Sequence, residues 1–132
     1  MNELAKEIER RILGAPFHQW MNINVIDAGE GFVEMTATYR DEWLGNPDKH
    51  SSHGGIVAGL IDLAADFSLY TYIGRGVPTI DLRVDFLAPA IGNLMAVGKA
   101  IKYGKRISTA EANIYNADGK LVASGRGTFL TC

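Results

Sequence analysis

The chain has 132 residues, with 13 lysines and arginines against 15 acidic residues and a net charge of −2. No run of basic residues could follow a phosphate backbone, so nucleic acid is not expected as a partner. Apolar residues make up 47%, and no stretch approaches the roughly 20 apolar residues of a membrane span. We therefore expect one compact domain over residues 1–132.

Cysteine usage and the N-terminus bear on the compartment. The one cysteine, Cys132, is the last residue and has no partner for an internal disulfide, which favours a reducing environment. The N-terminus is acidic and lacks the basic and then apolar segments of a signal peptide. We expect a cytoplasmic protein that needs no metal and no cofactor.

The first third of the chain predicts a helix followed by a hairpin. Leu4, Ile8 and Ile12 recur every four residues, which is typical of a short amphipathic helix between residues 2 and 13. Two runs rich in branched and aromatic residues then predict a pair of antiparallel strands, at 20–27 and 32–39.

The rest of the chain predicts a loop, a long helix and four strands. Residues 40–52 have no periodicity and contain several turn-forming residues, as functional loops do. The segment from 54 to about 73 has almost no polar face and is typical of a buried helix. Clear alternation predicts a strand at 79–86 with its apolar side chains on one face. Three further strands, joined by tight turns, are predicted at 94–103, 106–115 and 120–131.

These elements together favour an α+β class. An antiparallel sheet must cover its apolar face, and a helix that is apolar on all sides must be enclosed. Both needs are met when the sheet wraps around the long central helix, with the short N-terminal helix beside it. This is the hotdog fold.

Two features of the long helix indicate chemistry. Gly54 and Gly55 open it, where N–H groups lack helical partners and the absence of side chains lets a ligand approach the backbone. The alternative is that the two glycines only allow close packing. Asp62 lies among apolar neighbours, where a carboxylate is costly unless it is used or paired; the alternative is a buried aspartate that caps a backbone. For Asp66, one turn later, we favour the exposed end of the polar stripe over a second catalytic acid.

Helix geometry separates the two features. Gly54 and Asp62 are about 12 Å apart along one helix, at about 1.5 Å per residue. Reacting groups must lie within about 3.5 Å of each other. If Gly54 and Asp62 cooperate, they must come from different subunits, which predicts a two-fold dimer with paired sites.

A family resemblance rests on the sequence His53-Gly54-Gly55, on the aspartate nine residues after the histidine, and on the strand end at 85–89, Asp-Phe-Leu-Ala-Pro. Over nearly its whole length the chain resembles the phenylacetate-degradation (PaaI-like) branch of hotdog acyl-CoA thioesterases, in the 4-hydroxybenzoyl-CoA thioesterase superfamily. The resemblance implies that the Gly54 N–H binds the thioester carbonyl. It also implies that Asp62 of the partner subunit is the nucleophile or general base.

Three further residues are expected at the site, of which the resemblance implies two. Asn46 and Thr79 match positions that orient the attacking water in some relatives, although each suits an ordinary role, as a turn residue before Pro47 and as a strand residue. His53 is expected to orient the loop and the helix start. It is not expected to act as a base.

Coenzyme A carries phosphates, so its binder needs cations near the mouth of the site. Lys102, Lys105 and Arg106 cluster at one turn and are the predicted phosphate contacts; solvated surface residues are the alternative.

The sequence thus predicts an acyl-CoA thioesterase that forms a homodimer. The resemblance favours further pairing of two dimers, but the sequence leaves dimer versus tetramer open, as it does the acyl group. The alternatives are a non-catalytic acyl-CoA binding module and a hotdog dehydratase or hydratase.

Overall fold

The computed structural model describes the whole chain, Met1–Cys132. Its helices and strands follow the predicted order, with one short helix and two short strands added in the first half. The helices are α1 (Glu3–Ile12), α2 (Pro16–Trp20) and α3 (Gly54–Ile73). The strands are β1 (Ile23–Gly29), β2 (Phe32–Ala37), β3 (Leu44–Asn46), β4 (Ser51–Ser52), β5 (Thr79–Phe86), β6 (Leu94–Lys102), β7 (Ile107–Asn116) and β8 (Leu121–Leu130).

Six strands form one antiparallel sheet in the order β1-β2-β6-β7-β8-β5. The short strands β3 and β4 pair separately, within the loop that precedes α3. Because β5 follows α3 but pairs with the last strand, it lies at one edge of the sheet and β1 lies at the other. The predicted α+β class, with an antiparallel sheet around a central helix, is confirmed.

Helix α3 packs chiefly against β6 and β7 and supplies much of the core. Two glycines let the sheet approach it: a Cβ at Gly98 would overlap the carbonyl oxygen of Ala64, and one at Gly125 would lie 2.7 Å from Ile61 Cγ2. By length and composition, α3 is apolar enough to cross a membrane. The expectation that no stretch of the chain approaches a membrane span is therefore wrong for this helix. Most of it is buried inside the fold, which accounts for its composition.

The N-terminal segment differs from the prediction by one short helix. Asn2 caps α1 by accepting the N–H of Ala5 at 2.7 Å, and Ile8 and Ile12 are buried. After Gly14 the chain forms α2 before it enters β1. Pro16 occupies the first turn of α2, where its missing N–H costs nothing. The segment from Gly14 to Pro16 therefore separates two helices: it follows the end of α1, and Pro16 begins α2.

Strand β5 departs most from its predicted environment. The apolar face of the strand was expected to be covered, yet Ile80 is 55% exposed and Phe86 is 58% exposed. A register shift between Thr79 and Asp81 places Ile80 in a bulge opposite β8. The core of one chain therefore leaves both ends of this face open.

Candidate functional site

The first turn of α3 has one N–H that no atom of the chain accepts. His53 caps the helix, since its Nδ1 accepts the N–H of Gly55 at 2.8 Å. Its carbonyl oxygen accepts the N–H of Ile56 at 3.0 Å. The Gly54 N–H has no acceptor. A free N–H at the positive end of a 20-residue helix is suited to bind a developing oxyanion.

Steric contacts explain why glycine occupies two positions around this turn. A Cβ at Gly55 would lie 2.9 Å from His53 Nδ1 and would displace the cap. A Cβ at Gly45 would lie 2.8 Å from the His53 Cα, so β3 packs backbone against backbone on the residue that precedes α3. The His53 N–H donates to the Trp43 carbonyl at 2.7 Å, which fixes the entry of the chain into α3.

Asp62 is bonded to a side chain on the neighbouring strand. Thr79 Oγ1 donates to Asp62 Oδ1 at 2.6 Å, a length typical of a hydroxyl bonded to a carboxylate. Asp62 is half-buried between Ile61 and Leu63, both of which are buried. Its one side-chain bond is thus to a hydroxyl, and the second carboxylate oxygen is left for other partners.

Within one chain, the free N–H and the carboxylate lie toward opposite ends of β5. Gly54 lies beside Phe86, whose ring would be 3.3 Å from an added Cβ, and Phe86 ends the strand. Thr79, which holds Asp62, begins the strand. Seven strand steps at about 3.3 Å separate the two ends by about 23 Å. The separations along the helix, about 12 Å, and along the strand, about 23 Å, both exceed the reach of one reacting carbonyl, so the two groups do not meet within one chain.

Asp66 is not the exposed end of a polar stripe, and that expectation is wrong. The residue is half-buried, and its Oδ1 accepts the N–H of Val77 at 3.0 Å. Burial raises the pKa of Asp66 to about 7, the bond from Val77 lowers it, and the charge of Asp62 raises it further. Side chains four residues apart share a helix face, so Asp62 and Asp66 face the same connection and strand.

The remaining predicted site residues lie in two exposed places. Asn46 pairs with Ser51 at the end of β3 and makes no side-chain hydrogen bond. Lys102, Lys105 and Arg106 are exposed, and none of them forms an ion pair. Their turn is joined to β8 by the bond from the Thr131 N–H to the Arg106 carbonyl, at 2.7 Å.

An aromatic groove beside His53 was missed by sequence analysis. It has a volume of about 370 Å³ and borders Gly55 on the side of α2. The signal for it was present in Phe17 and Trp20, which lie three residues apart after a proline and stack at 6.1 Å. The other clefts of the chain are not lined by the glycine turn or by Asp62. The groove is lined by Phe17, Trp20, Glu42, Trp43, Leu44, His53, Gly55 and Ile56.

The family follows from comparison with known proteins. Residues 51–123, from β4 into β8, match the model of the thioesterase superfamily. The chain belongs to the thioesterase superfamily. The matched range contains the glycine turn, both aspartates of α3 and Thr79, and the enzyme class is that of a thioesterase hydrolase.

Relatives and solved structures agree with this assignment. The thioesterase is 32% identical over 121 residues to a candidate esterase of Halobacterium salinarum, covering 83% of this chain and 80% of that protein. It is 25% identical to the medium/long-chain acyl-CoA thioesterase YigI of Salmonella typhimurium, over 87% of this chain and 84% of the relative.

The PaaI protein of the Escherichia coli phenylacetic acid degradation operon superposes on the thioesterase with a TM-score of 0.83. The two are 25% identical, over 97% of this chain and 95% of the other. The resemblance to the PaaI-like branch is confirmed.

Proposed function

We propose that this thioesterase hydrolyses acyl-CoA thioesters at paired sites of a homodimer. Each site combines the Gly54 N–H of one subunit with Asp62 and Thr79 of the partner subunit. The observation that carries the proposal is the free Gly54 N–H together with the 2.6 Å bond between Thr79 and Asp62, which lie toward opposite ends of β5 in one chain. A two-fold axis can bring one of each together.

The chemistry follows from these groups. The thioester carbonyl oxygen accepts the Gly54 N–H, which stabilises negative charge on that oxygen as the carbonyl carbon is attacked. As a general base, Asp62 takes a proton from water while the water oxygen bonds to the carbon. The C–S bond then breaks and the leaving thiolate takes the proton. As a nucleophile, Asp62 forms an anhydride, releases the thiolate, and water hydrolyses the anhydride.

Thr79, Asn46, His53 and Gly55 have supporting roles in this proposal. Thr79 holds the carboxylate and, with Asn46, orients the attacking water. His53 occupies the Gly55 N–H, so that the carbonyl is directed to the Gly54 N–H. Gly55 also borders the aromatic groove, whose mostly apolar lining suits an acyl chain.

The exposed apolar residues support self-association. Ile80, Phe86 and Leu87 are each more than half exposed along or just after the edge strand β5. A strand edge with exposed apolar side chains is a site for pairing with another chain. A second partly exposed set, Ile101, Tyr103, Ile107 and Leu130, supports the pairing of two dimers.

Lys102, Lys105 and Arg106 would bind the phosphates of coenzyme A. Beside them, Tyr72 and Tyr103 stack at 5.2 Å and are both exposed, which offers an aromatic face near free cations. Residues 1–132 would form the single domain, since 31 buried residues make one core cluster. We place the enzyme in the cytoplasm, with no nucleic acid or membrane as a partner.

Thiol release from a panel of aromatic and straight-chain acyl-CoAs tests the proposal. Asp62→Asn removes the base or nucleophile and should lower kcat by about 100 to 10,000-fold while the fold is retained. Asp118→Asn, in the exposed turn after β7, is the matched control and should keep wild-type kcat. If the Asp62 variant stays within a few-fold of wild type, the assignment is wrong. Saturable binding of acyl-CoA without thiol release would indicate a binding module, and addition of water to an enoyl-CoA would indicate a hydratase.

A further inference from the structure

We propose that Asp66 is a positioning residue, which holds the Thr79 hydroxyl against Asp62 through the backbone of Val77. The inference rests on the proposed roles of Asp62 and Thr79 in hydrolysis and adds a residue that touches neither substrate nor water. Its basis is a continuous path: Asp66 Oδ1 accepts the Val77 N–H at 3.0 Å, and two residues later Thr79 Oγ1 donates to Asp62 Oδ1 at 2.6 Å.

The connection between α3 and β5 needs such a tether. It spans residues 74–78 and contains two glycines, of which Gly74 has a left-handed φ of 73°. Glycine leaves a connection with more backbone freedom than any other residue. Other hydrogen bonds also hold this connection. The Gly74 N–H donates to the Tyr70 carbonyl at 2.8 Å, the Pro78 carbonyl accepts the Leu130 N–H at 2.9 Å, and Arg75 is bonded to the C-terminal residues.

A displacement at Val77 would be transmitted to Thr79. Pro78 stands between them, its ring fixes φ, and it restricts Val77 to extended conformations, so the three residues form a stiff segment. Thr79 pairs with Phe129 of β8, but the register shift between Thr79 and Asp81 separates this pair from the rest of the β5 ladder. Bulges interrupt the pairing of a strand with its neighbour. The Val77 anchor and the single pair with Phe129 together therefore set the position of the Thr79 hydroxyl.

The charge state of Asp66 gives the tether a pH dependence. Its pKa is raised to about 7, first by burial and then by Asp62, against the lowering effect of the Val77 N–H. The guanidinium of Arg75 donates to the Thr131 carbonyl at 3.0 Å. The charged residues of β5 do not contribute to the raised pKa of Asp66. An ionised carboxylate is the stronger acceptor, so the tether tightens as pH rises through 7.

Steady-state kinetics of Asp66 variants test the inference. Asp66→Ala removes the acceptor and should lower kcat by about 100-fold, the cost of a misplacement near 1 Å, with KM little changed. Asp66→Asn keeps an oxygen for the Val77 N–H, so kcat at pH 8 should stay within about fivefold of wild type. Wild-type kcat should rise with pH through about 7, and the Asn variant should lack this inflection. An Ala variant within twofold of wild type, or an inflection kept by Asn, would overturn the proposal.

A double-mutant cycle separates positioning from a general effect on the fold. If Asp66 acts through Thr79, then Asp66→Ala should cost little once Thr79→Ala is present, whereas independent effects would multiply. Asp27→Ala is the matched control: its Oδ1 also accepts a backbone N–H, from Ala28 at 2.9 Å, on the opposite edge strand. Multiplying effects, or an equal loss of kcat in the Asp27 variant, would contradict the inference. Other results would contradict the proposed function itself: a wild-type protein that releases no thiol, or an Asp62→Asn variant that remains active.

Discussion

At the scale of single residues, proline is the substitution that tests the Gly54 N–H directly. Gly54 is the first residue of α3, where proline is well tolerated, and His53 has the extended backbone that a following proline requires, with φ −56° and ψ 139°. Gly54→Pro should therefore fold and lack the N–H that we assign to the oxyanion, and Gly54→Ala, which also places a Cβ 3.3 Å from the Phe86 ring but keeps the N–H, is its matched control. We expect the kcat of the proline variant to fall by about 100 to 1,000-fold. Circular dichroism should show an unchanged helix content, and full activity would exclude Gly54 as the donor.

Asp66 links stability to pH in the direction opposite to activity. Its folded-state pKa of about 7 lies above the ordinary value of 3.8. Between these values the folded chain binds the proton more tightly than the unfolded chain, so the free energy of unfolding should decrease as pH rises from about 4 to 7. Chemical denaturation across this range should show the decrease in wild type and a smaller one in Asp66→Asn. An identical slope in both would show that Asp66 titrates normally.

At the scale of elements, the approach of α3 to the sheet depends on Gly98. An alanine there would overlap the Ala64 carbonyl, and a backbone atom cannot rotate away. We expect Gly98→Ala to lower the free energy of unfolding by about 3 kcal/mol or more. Gly59→Ala, on α3 itself, meets no atom of the same chain within 4 Å and should cost nothing or stabilise by up to about 1 kcal/mol. Denaturant unfolding of both variants checks the contrast, and a Gly98 variant as stable as wild type would contradict it.

Periodicity located the elements that are long enough to show it. Helix α3 and strands β5 to β8 were predicted within a few residues, because burial repeats several times along each of them. Helix α2 has five residues and β4 has two, so neither element completes two periods of its pattern. The contact between Asp66 and Val77 was also beyond prediction. It depends on the path of a glycine-containing connection, while the spacing along α3 shows only that Asp62 and Asp66 share a face.

At the scale of the whole molecule, the proposed dimer would account for both the exposure of β5 and the separation of the site residues. The strand alternates as a covered strand does, but Ile80 and Phe86 are exposed in one chain. The alternation of apolar residues along a strand reflects its burial in the assembled protein, and that burial can come from the same chain or from a second chain. The same edge holds Thr79 at its start and lies beside Gly54 at its end. A second copy on this edge would cover the apolar residues and complete two sites together.

Shared sites predict that two inactive variants restore each other. A Gly54→Pro subunit keeps Asp62, and an Asp62→Asn subunit keeps the Gly54 N–H, so their heterodimer contains one intact site and one doubly defective site. Random pairing makes half of the dimers mixed, so co-expressed variants should recover about a quarter of wild-type kcat per site pair. Each variant alone should remain inactive in the same assay. If the mixture shows only the sum of the two residual activities while mass spectrometry detects the heterodimer, each site lies within one subunit and the two-fold arrangement is wrong.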